Sequence, residues 1–295
     1  MATYNGARHL PMQLESLAAQ SHADWRLLVS DDGSTDGTRA IVADFARHHP
    51  VRMIDGPRQG PAANFLTALC HPDVPPGPVA LADQDDVWLA GKLARGLRRL
   101  EAAPGTGPAL YAAESLLTDA ELRPLRASTQ GRLTPGFPPS LCQNLFGGHT
   151  MMLDPGALNL VRQAGVPDRI AFHDWWIYQL VAGAGGRLIL DPQPMVRYRQ
   201  HGANVLGGAG GLGPGLRRLR LALNGTWGDQ MQAQARALEQ VQHLFTAESR
   251  AVLHAFLAAP RRGPARALAL RRLGLRRSSP FGTALMLLAA GCGLL

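Results

Sequence analysis

Through the first hundred residues, short apolar runs alternate with stretches of helical periodicity, and two of the runs end in clustered carboxylates. Residues 25–29 read as a strand that leads into Ser30-Asp31-Asp32-Gly33-Ser34-Thr35-Asp36-Gly37-Thr38. Residues 79–82 read as another, running straight into Asp83-Gln84-Asp85-Asp86. A further strand is expected at 51–54. Between them, Leu10, Leu14 and Leu17, then Ile41 and Phe45, then Phe65, Leu66 and Leu69, then Leu93, Leu97 and Leu100 recur at helical spacing. A mainly parallel α/β sheet with helices on its faces satisfies this alternation, and open sheets of that kind bind ligands at the carboxyl ends of their strands. Both acidic loops fall at such ends.

The second half is less regular. Residues 110–117 and 149–153 look like strands, 174–183 like a helix, and 187–190 and 195–199 like extended chain. Nine residues, 207–215, include six glycines and a proline and read as a linker, with a helical stretch expected over 229–259. The expected domains are therefore 1–206, a linker at 207–228 and a helical, arginine-rich extension at 229–295. A hydrophobic content of 46% in 295 residues supports one large core plus such an appendage. The three cysteines are scattered and form no Cys-x-x-Cys pair. Neither a disulfide framework nor a thiolate zinc site is indicated, and a reducing cytoplasm fits.

Three carboxylates within four residues raise one another's pKa. A hard cation such as Mg²⁺ or Mn²⁺ relieves that conflict and is readily shared with substrate phosphates. The competing reading is a solvated acidic turn. In the loop at 30–38, Gly33 and Gly37 allow close backbone approach, and a carboxylate there can accept from a base N–H or a ribose hydroxyl. An ordinary capped loop accounts for the same residues. His173-Asp174-Trp175-Trp176 opens a helix: Asp174 is either its cap or a desolvated general base, with the indoles as a sugar platform. Tyr198-Arg199-Gln200-His201 brings an arginine suited to phosphate oxygens and a late histidine.

Taken in order, these four motifs resemble the family 2 glycosyltransferases of the GT-A fold, most closely the bacterial rhamnosyltransferase-like members. The resemblance runs from Thr3-Tyr4-Asn5-Gly6 to about Asn204. It implies an inverting, metal-dependent transfer of a sugar from a nucleotide-diphosphate donor to a glycan or lipid-linked acceptor in cell-surface polysaccharide assembly. Within it, Thr3, Tyr4 and Asn5 lie at the donor, with Tyr4 stacking on the base. Asp32 hydrogen-bonds the base, supported by Asp31, and Asp83 faces the ribose. Asp85 and His201 bind the metal, Mg²⁺ or Mn²⁺, Arg199 meets the diphosphate, Asp174 is the base, and Trp175 and Trp176 carry the acceptor. The family also has a central strand leading into Thr3-Tyr4, flanked by the strands at 25–30 and 79–82. Almost nothing precedes that point here, so a truncated first strand and a natural start farther upstream are expected.

Charge is unevenly spread. Residues 1–213 sum to −1, whereas 214–295 hold twelve arginines and three acidic residues, a net +9. Beyond the arginines, 281–295 form an apolar run too short to span a bilayer. A peripheral helix on the inner face of the plasma membrane is expected, the alternative being a helix packed on the body. Nucleic acid is not an expected partner, because leucines rather than stacking aromatics interleave the arginines. A non-catalytic sugar-binding module stays open. A dehalogenase-like phosphohydrolase stays open less easily: its motif needs a well-separated downstream lysine, and Lys92 is the only lysine.

Overall fold

The computed structural model describes residues 1–128, 134–168, 170–200 and 226–295. An N-terminal sheet is all parallel. β1 (Ala2–Thr3) lies beside β2 (Leu27–Asp31), which lies beside β3 (Val51–Asp55), with Ala2 opposite Ser30 and Leu27 opposite Val51. The strand expected to be truncated is thus present as two residues. Ser30 N–H donates to Met1 O (2.9 Å) and Asp32 N–H to Thr3 O (2.8 Å), so its ladder with β2 is made. Helix α1 (Leu10–Ala18) buries Leu10, Leu14 and Leu17 in a cluster with Val29 of β2 and Val42 of α2 (Thr38–Phe45). This is the face that the leucine spacing specified.

The second sheet is mixed. Its order is β4 (Val79–Ala80), β8 (Met151–Leu153), β6 (Ala109–Thr118), β9 (Arg187–Arg199) and β5 (Val87–Trp88), with β7 (Pro124–Ala127) on the far part of β6. The β6–β9 pair is parallel and the other pairs are antiparallel. β4 therefore pairs with β8 and not with the N-terminal strand as expected. The two extended segments at 187–190 and 195–199 are one strand, broken in register between Ala113 and Ser115 of its partner.

Helices α3 (Pro61–Cys70), α6 (Pro155–Ala164) and α7 (His173–Gly183) pack together behind these strands in the main core. Helix α4 (Lys92–Glu101) covers a smaller cluster containing Tyr111 and Met152. A short helix, α5 (Phe137–Ser140), leads toward β8. The helical stretch expected over 229–259 consists of two helices, α8 (Thr226–Gln240) and α9 (Ala247–Ala258), the second capped by Thr246 Oγ1 accepting from Ser249 N–H. Then come α10 (Pro264–Arg272) and α11 (Pro280–Gly291). Leu270, Leu275, Met286, Ala290 and Leu295 join the main core. The C-terminal segment packs on the body by one face, and among the described residues no helix is long and apolar enough to cross a membrane. Most of the expected linker, 207–225, lies outside the described residues; 226–228 already belong to α8.

Candidate active site

The loop after β1 and the loop after β2 are stitched together by the residues expected at the donor. Asp31 is buried, and its oxygens accept from Thr3 Oγ1 (2.9 Å), Ser34 Oγ (2.6 Å), Ser34 N–H (3.0 Å) and Arg39 Nη1 (3.1 Å). Burial alone would raise its pKa; the hydrogen bonds from Ser34, Thr3 and Arg39 outweigh that and hold it below the usual carboxylate range. Asp32 accepts from Arg58 N–H (2.6 Å) and Gly60 N–H (2.8 Å), fixing the loop before α3. Asn5 sits at φ +46° and its Oδ1 accepts from Thr35 N–H (2.8 Å). Thr3, Asn5, Asp31 and Asp32 are thus committed to loop geometry. Tyr4 is different: its ring is 58% exposed, while its backbone exchanges two hydrogen bonds with Gln84 of the acidic loop (2.9 and 3.0 Å).

That loop crowds like charges together. Asp83, Asp86 and His149 bring ligand atoms to within 4.8 Å of one another. Burial, then the charges of Asp85 and Asp174, push the Asp83 pKa up to about 7. Burial, Asp83 and Asp85 raise that of Asp86 well above its ordinary value. Burial, with Lys92 nearby, lowers that of His149 to about 3, so its imidazole is neutral. His149 is oriented by Ser115 Oγ (2.5 Å) and by stacking on Tyr198 (4.3 Å between centroids). Asp86 Oδ2 is buried without a hydrogen-bond partner. Two carboxylates, one with an orphaned oxygen, and a neutral imidazole fit Mg²⁺ or Mn²⁺. The group differs from the expected pair: Asp85 is not in it, although its charge acts on both Asp83 and Asp86, and His201 lies outside the described residues.

Beneath the cluster, the buried Lys92 ammonium stands 3.3 Å from the centroid of the Trp88 ring and donates to His149 O (3.0 Å). Burial lowers its pKa against the pull of Asp86 and Asp83. Arg199 is buried too. Its guanidinium donates to Asp85 O (3.0 Å), to Ala120 O and to Met12 Sδ (3.6 Å). It fixes the backbone of the acidic loop, where a phosphate contact was expected.

Asp174 occupies the first turn of α7, where the helix dipole favours its charge. Its Oδ2 accepts from Gly148 N–H (3.0 Å) and its Oδ1 from Trp175 N–H (2.7 Å). Gly148 is required there: a Cβ on it would stand 2.8 Å from His173 Nε2 and 3.3 Å from Asp174 Cβ. Asp174 is near enough to Asp83 for its charge to raise the Asp83 pKa. The two indoles do not form a platform. Trp175 is 4% and Trp176 0% exposed, both in the main core, and Trp175 Nε1 donates to Ser140 O (2.6 Å). The apolar run after Asp174 demanded burial, and both rings satisfy it.

Asp86, His149 and Lys92 are the residues of this group that the sequence hid. Asp86 stands beside the expected Asp85, His149 is a lone histidine ahead of a strand, and Lys92 is the first residue of α4, which packs on β6 and β9.

The site thus combines an exposed tyrosine, an acidic cluster and a carboxylate at a helix start. Residues 1–150, half of the chain, match glycosyl transferase family 2. The chain belongs to that family. It is 25% identical over 223 residues to the dTDP-rhamnosyl transferase RfbG of Shigella flexneri, an alignment covering 70% of this chain and 73% of that protein. It is 34% identical over 94 residues to the UDP-Glc:alpha-D-GlcNAc-diphosphoundecaprenol beta-1,3-glucosyltransferase WfgD of Escherichia coli, covering 32% of this chain and 36% of that one. For some curated relatives, then, the chain spans only about a third of their length (30% and 36%). Among solved structures, the mannosyltransferase PcManGT of Pyrobaculum calidifontis, in complex with GDP-Man and Mn²⁺, superposes with a TM-score of 0.55 at 22% identity, over 98% of this chain and 84% of that one. The α/β fold of this family 2 chain is the GT-A fold. Family and fold together set aside the dehalogenase-like phosphohydrolase.

Proposed function

We propose that this family 2 chain is an inverting glycosyltransferase that moves a sugar from a nucleotide-diphosphate donor to a hydroxyl of a glycan or lipid-linked acceptor. The observation that carries the reading is Asp174, held by the Gly148 N–H at the start of α7 and electrostatically coupled to the acidic cluster around Asp83. Asp174 takes the proton of the acceptor hydroxyl as that oxygen attacks the anomeric carbon. The bond from that carbon to the diphosphate breaks on the opposite side, and its electron pair leaves with the diphosphate. Asp83, Asp86 and His149 would hold Mg²⁺ or Mn²⁺, with Asp85 at the margin and His201 as a further contact. The cation supplies charge neutralisation for the departing diphosphate. Tyr4, exposed on the loop after β1, would stack on the base, and Asp32 on the neighbouring loop would hydrogen-bond it, with Asp31 holding the two loops together. Asp83 also faces the ribose side. Arg199 acts by fixing the acidic loop.

The likeness to RfbG supports a deoxythymidine-diphosphate sugar, rhamnose first, as the donor to try. The likeness to WfgD supports a lipid-linked acceptor, and the likeness to a putative teichuronic acid biosynthesis glycosyltransferase of Bacillus subtilis supports a role in surface polysaccharide assembly. Asp174→Asn tests the assignment, because it keeps the side chain's size and one of its two backbone hydrogen bonds and cannot take a proton. General-base catalysis is typically worth ~10²–10⁴-fold, so kcat is expected to fall by about that factor with donor affinity unchanged. A loss below about tenfold would place the base elsewhere.

A further inference from the structure

Helix α11 presents an apolar face outward as well as inward. Met286, Ala289 and Ala290 enter the core, whereas Phe281, Ala284, Leu285, Leu288 and Cys292 are exposed, a row at i, i+3, i+4, i+7 and i+11. Phe281 is 78% and Leu288 64% exposed, and the helix contains no charged residue. Isolated exposed leucines are ordinary, but a continuous row on one helix marks an interaction surface. Next to it, α10 exposes Leu268 together with Arg271 and Arg272 on one face.

The surroundings of that row are cationic. Residues 261–295 hold seven arginines and no acidic residue. Arg261, Arg262, Arg271, Arg272 and Arg276 are exposed. The arginines bracket α11: Arg277 lies against Gly282 at its start and Arg262 against Gly293 just past its end. Arg277 also stacks on Trp227 (4.4 Å), which ties this end to the body.

We infer that α10 and α11 form a docking face for an anionic lipid surface, with the Phe281–Leu285–Leu288 row entering the acyl boundary and the arginines meeting the headgroups. A helix of twelve residues is about 18 Å long. That is too short to span a bilayer but is suited to lying in its interface. A second copy of the chain is the poorer occupant. Two-fold pairing through this face would set like-charged arginine borders against each other, and the segment contains no carboxylate to pair with them. The inference does not depend on the transferase reading.

Flotation of the full chain with phosphatidylcholine vesicles, with and without phosphatidylglycerol, tests it. Binding is expected only with phosphatidylglycerol, and it should fall steeply as salt rises. Arg271→Gln/Arg272→Gln/Arg276→Gln should weaken it about a hundredfold. Phe281→Ser/Leu285→Ser/Leu288→Ser should weaken it at least ~tenfold through lost apolar burial. All six side chains are exposed, so melting temperature and nucleotide binding should hold in both variants, and the arginine variant carries the test if the serine variant melts early. Three results would overturn the inference: no binding to either vesicle, equal binding to both, or tighter binding to single-stranded RNA than to vesicles. So would a sedimentation-detected dimer that the serine variant dissociates.

Discussion

Asp31 and Asp32 are adjacent and hold different parts of the site. Asp31 faces inward and joins β1 to the loop after β2, and Asp32 faces the loop before α3. The same division by environment separates Asp174 from the tryptophans that follow it: one helix turn brings a carboxylate near Asp83 and two indoles into the core. Trp175→Phe is therefore expected to act on stability. It removes the bond from Nε1 to Ser140 O, but Gln179 Nε2 still donates to that carbonyl (3.1 Å), so the cost is that of one hydrogen bond, about 1 kcal/mol. The larger Trp176→Ala should cost about 3–5 kcal/mol. Thermal denaturation reads both. Acceptor KM for Trp175→Phe should match the unaltered protein, and a raised KM would return the ring to the acceptor.

At the level of elements, β9 shows where sequence reading stops. Asp191-Pro192-Gln193-Pro194 interrupts its apolar pattern, so 187–190 and 195–199 read as separate pieces. The chain nevertheless continues along β6 with a break in register at that point. Asp191 secures the break: its buried carboxylate accepts from Arg95 Nε (2.6 Å), Arg95 Nη2 (2.9 Å) and Tyr111 Oη (3.0 Å). Burial would raise its pKa, and the bonds from Arg95, Gln193 N–H and Tyr111 more than reverse that. A carboxylate held below its unfolded pKa adds stability above that value, near 3.8, and loses it as pH falls through the lowered native pKa. Asp191→Asn should destabilise by about 1–3 kcal/mol at neutral pH and show a flatter stability profile below pH 4. Acid titration followed by circular dichroism checks this, and parallel profiles would assign the acid sensitivity to other carboxylates. β2 and the first half of β6 were legible as apolar runs, and β3 by its Val51, Met53 and Ile54. β5, only two residues long, and β7, exposed throughout, carry no such pattern. The acidic stretch after residue 82 was legible as a candidate cation site, but the family resemblance pointed to Asp85 where the structure groups Asp86 with Asp83. His149 lies far along the chain from both, and nothing in its own neighbours marks it.

Across the whole molecule, charge and chemistry are segregated. Asp83, Asp85, Asp86 and Asp174 act on one another at the acidic loop, whereas residues 261–295, whose helices join the main core, hold seven arginines and no acidic residue. Lys92 and Arg199 hold the backbone around the acidic loop through hydrogen bonds to Leu81 O, His149 O and Asp85 O. The central claim is that this loop and Asp174 together form a nucleotide-sugar transfer site. Release of nucleoside diphosphate from a panel of nucleotide-sugars, with Mn²⁺ or Mg²⁺ and then with chelator, tests it most directly. The expected result is release from one class of donor, abolished by chelator and by Asp86→Asn. Metal-independent release that survives Asp86→Asn, or no release from any donor with metal and acceptor lipid supplied, would contradict it.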